Sequence, residues 1–292
     1  MVPIMLKSFL MVLLLYCLPH WQAIAQLNHS NVISIKAGIF VETFKKYPHF
    51  MQSDICQQAL DISQMQIDRT LLDAILMCRA FEHQNTRLQI EFVSMPNERR
   101  GMLLVEQGKM DTMTSSVWST ETNGADVYVT QPLLDVGEFE KGVYFAMSHP
   151  VFDLPPQQVA LSNYTGLSVK DWTLDNQALY QLTTQYIKVG YSPAIFQYMR
   201  KGRADFILLE FPSSYNLNWC HDEVCLKPLP NVKVALNGTR HLVVSKYSEN
   251  GAQFFYRLER GLTQLRAMGE IRKLYQQSGL INSQVEDWKV LN

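Results

Sequence analysis

Hydrophobic residues recur along the chain with two alternating periods. Residues 32–40 and 87–93 alternate between apolar and polar positions, which predicts β-strands. Residues 67–81 lie between them and place apolar side chains at helical spacing. A further helix is predicted over 96–107, because proline is favoured at a helix start, and the next strand begins within 109–117. This β-α-β order favours a sheet with helical crossovers and an α/β fold.

The same order restarts after a segment rich in helix and strand breakers. Residues 142–147 predict a short apolar strand, and residues 149–156 contain three prolines, so we place a crossing between domains there. The second half then predicts strand 166–169, helix 176–185, strand 187–189, helix 192–201, strands 204–210 and 242–245, and helices 251–268 and 270–278.

The first 25 residues have the pattern of a secretory signal peptide. Lys7 supplies the positive start, residues 9–18 the apolar stretch, and Ala23-Ile24-Ala25 the small-residue cleavage site. The apolar run is shorter than the roughly 20 residues that span a bilayer, so cleavage is favoured over a retained membrane anchor. We therefore expect a mature chain that begins near Gln26 and is located in the periplasm.

Composition and charge narrow the classes of partner. The chain has 292 residues, of which 47% are hydrophobic and 18% charged, which favours a folded chain over a disordered one. Its 26 basic and 27 acidic residues give a formal charge of -1, and no run of like charges is present. We therefore expect no nucleic-acid partner. The composition and charge do not exclude small polar molecules as ligands.

Four cysteines follow the signal segment, an even number in a compartment that permits disulfides. Cys220 and Cys225 enclose a short loop and are expected to pair, which leaves Cys56 for Cys78. The alternative is a metal site formed by His221 with the thiols of Cys220 and Cys225. A single Cys-x4-Cys pair lacks the second ligand pair that structural zinc normally needs. We expect no metal and no cofactor.

Two segments repeat one pattern, a helix with an arginine, then Gly-basic-x-Asp, then a strand. Residues 108–111 follow Arg99-Arg100, and residues 202–205 follow Arg200. Each glycine can end its helix in a left-handed conformation, and each aspartate starts a strand. One such motif indicates only a helix-to-strand turn, but its recurrence in matching surroundings indicates two related halves.

Several stretches together point to a known family. The first is the turn at 108–111 that leads into 115–121, and the second is Tyr128-Val129-Thr130-Gln131-Pro132. The turn at 202–205 follows, and the last is Leu-x-x-Met-Gly-Glu-Ile-x-x-Leu-Tyr at 265–275. In this order they resemble the extracytoplasmic solute-binding proteins of family 3, best known from polar amino-acid transport. The resemblance implies an α/β, two-lobed type II periplasmic binding protein fold with a hinge of two crossing strands. Lobe one would comprise 27–145 and 240–292, and lobe two 146–239.

The resemblance also implies which charges hold the ligand. In amino-acid binders of this family an arginine grips the ligand carboxylate, and Asn123 stands at that position here. Asparagine cannot supply the charge, so we expect this clamp to be absent, with Arg99 or Arg100 as candidates to replace it. The acid that holds a ligand ammonium corresponds to Glu210, for which the alternative is a structural acid at the edge of the core.

Other residues fall where the family places ligand contacts. For Trp118 the hypothesis is stacking on a flat or methylated ligand, and the alternative is simple packing. Residues 170–173 match a loop that offers backbone donors. The full set of candidate ligand contacts is Glu42, Phe44, Arg100, Ser115, Ser116, Trp118, Asn123, Lys170, Trp172 and Glu210.

These inferences favour a non-catalytic periplasmic receptor. We expect a monomer that captures a small polar ligand, with an amine as the expected class, for an ABC permease or a membrane sensor. One alternative is an enzyme, because this fold includes a cyclohexadienyl dehydratase and Glu210 could act as a general acid. Another is a ligand-free relic of the fold that signals by protein contact alone.

Overall fold

The computed structural model describes residues 32–52, 54–58, 60–62, 67–155, 158–192, 194–212, 214–221 and 223–292. The predicted signal peptide and its cleavage site lie outside these residues. The strands are β1 (Val32–Phe40), β2 (Arg87–Met95), β3 (Thr112–Met113), β4 (Val117–Trp118), β5 (Val127–Val129), β6 (Glu140–Ala146), β7 (Gly166–Val169), β8 (Tyr186–Val189), β9 (Phe206–Glu210), β10 (Trp219–His221), β11 (Val224–Ala235), β12 (Arg240–His241), β13 (Val243–Ser245) and β14 (Lys289–Val290). The α-helices are α1 (Val41–Lys46), α2 (Pro48–Gln52), α3 (Arg69–Glu82), α4 (Glu98–Glu106), α5 (Thr173–Leu182), α6 (Ala194–Arg200), α7 (Gly251–Ala267) and α8 (Glu270–Gln277).

The strands form two large sheets, and the predicted α/β class is confirmed. The five-stranded sheet has the order β2-β1-β3-β13-β5, with β1 parallel to both of its neighbours. The seven-stranded sheet has the order β10-β11-β6-β9-β7-β8, and β14 pairs with β11 outside this path. A small third sheet pairs β12 with β4. Both large sheets are mixed, with the parallel pairs at one end of the strand order and the antiparallel pairs at the other.

The repeated Gly-basic-x-Asp turns have the same geometry in the two sheets. Gly108 and Gly202 have φ values of 69° and 60°, the left-handed region that favours glycine. The Asp111 carboxylate accepts the Lys36 N–H at 2.7 Å, while the Asp111 N–H donates to the Lys36 carbonyl. Asp205 makes the same pair of bonds with Thr165. These aspartates therefore align a neighbouring strand rather than face a ligand.

Helix α3 is well specified by its sequence. The Asp68 side chain caps its start by accepting the Leu71 N–H at 3.0 Å, and the apolar face of the helix is buried. Cys78 lies on this helix and forms a disulfide with Cys56. The second disulfide joins Cys220 and Cys225, which lie opposite each other on β10 and β11. Both predicted cysteine pairs are thus present in the structure.

Two extended segments run antiparallel between the large sheets, as expected for a hinge of two crossing strands. The Leu133 N–H donates to the Arg240 carbonyl at 2.7 Å, and the Arg240 N–H donates to the Leu134 carbonyl at 3.1 Å. Further along, the Leu236 N–H donates to the Phe139 carbonyl at 2.9 Å. The first segment leads from β5 to β6, and the second leads back from β11 to β12 and β13.

Sheet membership differs from the predicted lobe limits at two places. Strand β6 begins at Glu140, so the seven-stranded sheet starts before residue 146. After α8 the chain also returns to that sheet, where β14 pairs with β11 and Lys233 Nζ donates to the Val285 carbonyl at 2.8 Å. The second large core cluster accordingly includes Val285. The lobe limits themselves stay a prediction.

Several elements depart from the predicted secondary structure. The helix predicted over 176–185 spans Thr173–Leu182. Helices α1 and α2 and the twelve-residue strand β11 were not predicted. Strand β11 contains Pro228 and Pro230, and prolines are tolerated in a strand at irregularities. The pairing of β11 with β6 shifts register between Pro228 and Lys233, so the prolines lie next to such an irregularity.

Candidate functional site

A group of charged, hydroxyl and aromatic side chains lies between the two large sheets. Its side chains come from α3, α4 and the β3–β4 region on one side and from β6, α5 and β9 on the other. Both crossing segments also contribute side chains. We call it the interlobe cluster and define it as Arg69, Asp73, Glu98, Ser115, Ser116, Trp118, Glu121, Phe139, Lys141, Trp172, Asp175, Glu210 and Arg240.

The first turns of α3 place Arg69 and Asp73 one helical turn apart on the face toward Ser116. Arg69 Nη1 donates to the Ser116 carbonyl at 3.2 Å and lies 3.8 Å from the Asp73 carboxylate. Asp73 is fully buried and accepts the Ser116 N–H at 2.9 Å as well as the Tyr275 hydroxyl. Burial raises the pKa of Asp73 above its ordinary value, although the Arg69 charge opposes this change.

Arg240 enters the cluster from the second crossing segment and is almost fully buried. Its guanidinium carbon lies 4.4 Å from the centre of the Trp118 ring and 5.3 Å from that of Phe139. Its nitrogens donate to the Ser116 carbonyl and hydroxyl, and one lies 3.6 Å from the Glu98 carboxylate. Burial and the neighbouring Arg69 charge lower the pKa of Arg240.

Two glutamates close the α4 side of the cluster. Glu121 accepts the Trp118 N–H at 2.9 Å, and Glu98 accepts the Ser115 hydroxyl at 3.4 Å. Burial, and after it the repulsion from Glu98, raise the pKa of Glu121 from its ordinary value of 4.5 to about 7. This wall of the cluster therefore changes its charge near neutral pH.

The side formed by the seven-stranded sheet contains a separate buried ion pair. Lys141 on β6 and Asp175 on α5 are hydrogen bonded to each other, and both are almost fully buried. The Lys141 ammonium lies 4.9 Å from the centre of the Trp172 ring and 5.7 Å from that of Phe139. An aromatic cage around an ammonium group is thus already filled by a lysine of the chain itself.

Glu210 ends β9 and faces the opposite side of the cluster. Its carboxylate lies 4.0 Å from Arg69 Nε, and its side chain is 31% exposed. Its backbone carbonyl accepts the Trp219 indole N–H at 2.7 Å, so the strand end is tied to the disulfide-closed β10–β11 hairpin. Glu210 therefore combines a fixed backbone position with a carboxylate that remains accessible.

The structure brings together five of the ten candidate ligand contacts: Ser115, Ser116, Trp118, Trp172 and Glu210. The two serines are fully buried, and the face of Trp118 packs against Arg240 and Phe139. Within the described residues, the Trp118 ring thus already has a cationic neighbour.

The other five candidates lie outside the interlobe cluster. Phe44 is half-buried on α1, and the remaining four are exposed: Glu42 on α1, Arg100 on α4, Asn123 beyond β4 and Lys170 beyond β7. The Arg100 N–H donates to the cap residue Asn97 at 2.9 Å, which is a helix-start role. As ligand contacts these five residues stay predictions.

Sequence reasoning missed the basic residues of the cluster. Positive charge is supplied by Arg69, Lys141 and Arg240, none of which was a candidate. One signal was available for Arg69, since it follows the cap residue Asp68 at the start of a helix that is mostly apolar through Phe81 and should be buried. Nothing in the local pattern distinguishes Lys141 or Arg240 from surface residues.

Within the part of the chain that the structure describes, no group of three or more His, Cys, Asp or Glu residues could hold a metal ion. The described helices also include none that is long and apolar enough to cross a membrane.

Comparison with known proteins identifies the architecture. No protein-family model matches the sequence, and no curated protein matches it. Among solved structures, the BvgS periplasmic domain of B. pertussis aligns with a TM-score of 0.51 at 11% identity, over 92% of this chain and 45% of that one. The chain has the two-lobed type II periplasmic binding fold. Likeness at this identity shows the fold alone, so the ligand has to be inferred from the site.

Two further structures with this binding fold align less well. One is AbpA, an amino acid ABC transporter substrate-binding protein from Streptococcus pneumoniae bound to L-arginine, with a TM-score of 0.46, 15% identity, and coverage of 74% of this chain and 85% of that one. The other is AncCDT-1, an ancestral amino acid-binding protein and precursor of cyclohexadienyl dehydratase, with a TM-score of 0.44, 13% identity, and coverage of 70% and 84%.

Proposed function

We propose that this chain is a periplasmic binding protein that captures a small polar ligand with a cationic group between its two lobes. The observation that supports this most directly is the position of Glu210. Its carboxylate lies 4.0 Å from Nε of Arg69, a residue that is hydrogen bonded to Ser115 and Ser116 of the opposite lobe, and it remains partly exposed. Ligands of open α/β folds bind at such strand ends.

The charge balance of the interlobe cluster supports a cationic ligand. Four acids, Asp73, Glu98, Asp175 and Glu210, stand against three bases, Arg69, Lys141 and Arg240, so the cluster is negative when its acids are ionised. Burial raises the pKa of Asp73 and Asp175, and Glu98 and Glu210 are the more exposed acids. Glu121 adds a further negative charge at pH values above about 7. An added cation would balance this excess of negative charge, whereas an added anion would increase it.

The engagement of the three bases argues against an ordinary α-amino acid as ligand. Lys141 is bound to Asp175, and Arg240 to Ser116 and Glu98. Arg69 is bound to Ser116 and lies near Asp73. A ligand carboxylate would therefore have to compete with acids of the chain for each guanidinium or ammonium group. We expect amines to bind better than zwitterions.

The proposal also states where the protein is located, which partner it serves, and that it binds its ligand without catalysing a reaction. We infer a monomer in the periplasm that presents the bound ligand to an ABC permease or a membrane sensor and does not turn it over. Two disulfides support an oxidising compartment. The two-lobed fold supports capture by closure of the lobes.

The test is a thermal-shift and calorimetry series with putrescine, spermidine, choline, L-arginine and L-glutamine as probes. At least one amine should raise Tm, because a ligand that binds the native state stabilises it. Glu210→Gln should weaken that amine about 10- to 100-fold, the equivalent of one hydrogen bond to a charged group. Glu223→Gln, an exposed acid on the same lobe, is the matched control and should leave affinity unchanged.

Two results would overturn the proposal. One is that no amine in the series binds, or that Glu210→Gln changes the affinity of a bound amine by less than twofold. The other is turnover of prephenate or arogenate by the purified chain, followed by product absorbance, which would instead assign a dehydratase.

A further inference from the structure

Arg69 stands between two acids that belong to different lobes. Asp73, 3.8 Å from Nη1, is on the same helix, and Glu210, 4.0 Å from Nε, comes from the seven-stranded sheet. The Arg69 side chain is only 15% exposed. A buried guanidinium between two carboxylates interacts with both, and the contact with Glu210 is a charge contact that joins the two lobes.

The bonds of Arg69 are distributed unequally between the two sides. All of its described hydrogen bonds end on Ser115 and Ser116 of the first lobe. Its Nε is buried and has no hydrogen-bond partner among the described residues, because Glu210 lies beyond hydrogen-bonding distance. Arg69 is thus fixed to one lobe and held to the other by charge alone. Separation of the two lobes at this point would break no hydrogen bond of Arg69.

An apolar contact accompanies this ion pair. Leu174, at the start of α5, packs against the second crossing segment, where a Cβ on Gly238 would lie 2.4 Å from Leu174 Cδ1 and 3.2 Å from Trp118 Cε3. Leu174 and Trp118 belong to one core cluster that includes residues of both large sheets. Side chains of the protein itself therefore fill this part of the space between the lobes.

We propose that Arg69 is an intramolecular counter-ion for Glu210 that holds the lobes closed. A ligand cation must displace Arg69 from Glu210 in order to bind, and this competition lowers its affinity. This inference rests on the proposed function, since it assigns Glu210 to the ligand cation. The ligand cation and Arg69 then compete for the Glu210 carboxylate, and only one of them is paired with it at a time. Neutral ligands cannot replace the lost charge contact, so the same pair selects for charge.

The experiment measures lobe closure without any ligand, by small-angle X-ray scattering of the full chain. Glu210→Gln should increase the radius of gyration relative to the wild type at low salt, and Glu223→Gln should not. The wild type should approach the value of Glu210→Gln as NaCl rises from 0.05 to 1 M, because salt screens a partly exposed pair. Arg69→Lys keeps a positive charge beside Asp73 and protects the fold. Because the lysine side chain is shorter and its ammonium replaces the planar guanidinium, it should reach Glu210 less well and also increase the radius of gyration.

An unchanged radius in both Glu210→Gln and Arg69→Lys, with no salt dependence in the wild type, would overturn the inference. That result would assign closure to the packing of Leu174 against the second crossing segment instead. It is distinguishable from failure of the proposed function, because binding of an amine to the wild type is measured separately and does not depend on which contact closes the lobes.

Discussion

The two sides of the interlobe cluster hold buried charges in different ways. On the side of the five-stranded sheet, Asp73 and Arg240 are hydrogen bonded to the backbone of Ser116. On the side of the seven-stranded sheet, Lys141 and Asp175 are bonded to each other, and aromatic rings cover the ammonium. The first arrangement is tied to the main chain, whereas the second is a self-contained pair.

This difference determines which charges the fold requires. A charge that satisfies a buried N–H or C=O cannot be replaced by an apolar side chain without leaving that backbone group unpaired. A self-contained ion pair can be replaced, since apolar residues of similar volume avoid the cost of desolvating two charges. Removal of the Arg69–Asp73 pair on one side and of the Lys141–Asp175 pair on the other tests this difference.

The largest effect is expected for the double substitution Arg69→Met and Asp73→Leu. It leaves the Ser116 N–H and the Tyr275 hydroxyl without their acceptor, at about 1 to 3 kcal/mol for each group. We therefore expect the free energy of unfolding to fall by about 2 to 6 kcal/mol in urea denaturation. Arg79→Ala with Glu82→Ala removes an exposed pair from the same helix and should cost less than about 1 kcal/mol. Equal losses in the two doubles would contradict the comparison.

The next effect concerns one bond of the same network. Tyr275→Phe removes the hydroxyl that donates to Asp73 and leaves the Ser116 bond in place. A hydrogen bond to a charged group contributes about 1.5 to 3 kcal/mol, and we expect a loss of that size at pH 7. Tyr144→Phe removes a buried hydroxyl that donates to the Leu217 carbonyl, a neutral acceptor, and should cost less. A greater loss in the control would show that the charge of Asp73 is not what matters.

A third prediction uses pH and the raised pKa of Glu121. A carboxyl whose folded-state pKa is raised stabilises the fold below its ordinary pKa of 4.5, and this contribution is lost as pH rises through about 7. Glu121→Gln resembles the protonated form, so the variant should be more stable than the wild type by about 3 kcal/mol at pH 8 and nearly equal to it at pH 4.5. Urea denaturation at the two pH values measures this, with exposed Glu82→Gln as control. A constant difference between the two pH values would argue against titration of Glu121.

The smallest effect is expected on the other side of the cluster. Lys141→Met with Asp175→Leu replaces the self-contained pair and should change the free energy of unfolding by less than about 1 kcal/mol. Lys141→Met alone leaves a buried carboxylate and should cost about 3 to 5 kcal/mol. If the double substitution costs as much as the single one, the pair has partners beyond Lys141 and Asp175.

The sequence predicted most of the fold, because the fold depends on local patterns. Strand and helix periods, the paired glycine turns and the cysteine spacing each involve neighbouring residues. Five residues of the interlobe cluster were predicted from the sequence, and they lie at or near strand ends: Ser115, Ser116, Trp118, Trp172 and Glu210. Arg69 and Arg240 meet only after folding, and the distance of 171 residues between them leaves no local pattern to detect. Arg99 and Arg100 were the candidates for the charge missing at Asn123 and follow Pro96 at the start of α4, whereas the basic residues of the cluster lie on α3, on β6 and in the second crossing segment.

The return of the chain to the seven-stranded sheet at β14 has a practical consequence for measuring motion. The described chain starts in the five-stranded sheet at Val32 and reaches its last strand in the other lobe at Val290. Both residues are exposed, at 40% and 42%. A donor and an acceptor fluorophore at these two positions would therefore be attached to different lobes. Such a pair would turn opening of the cleft into an optical signal while leaving every residue of the interlobe cluster intact.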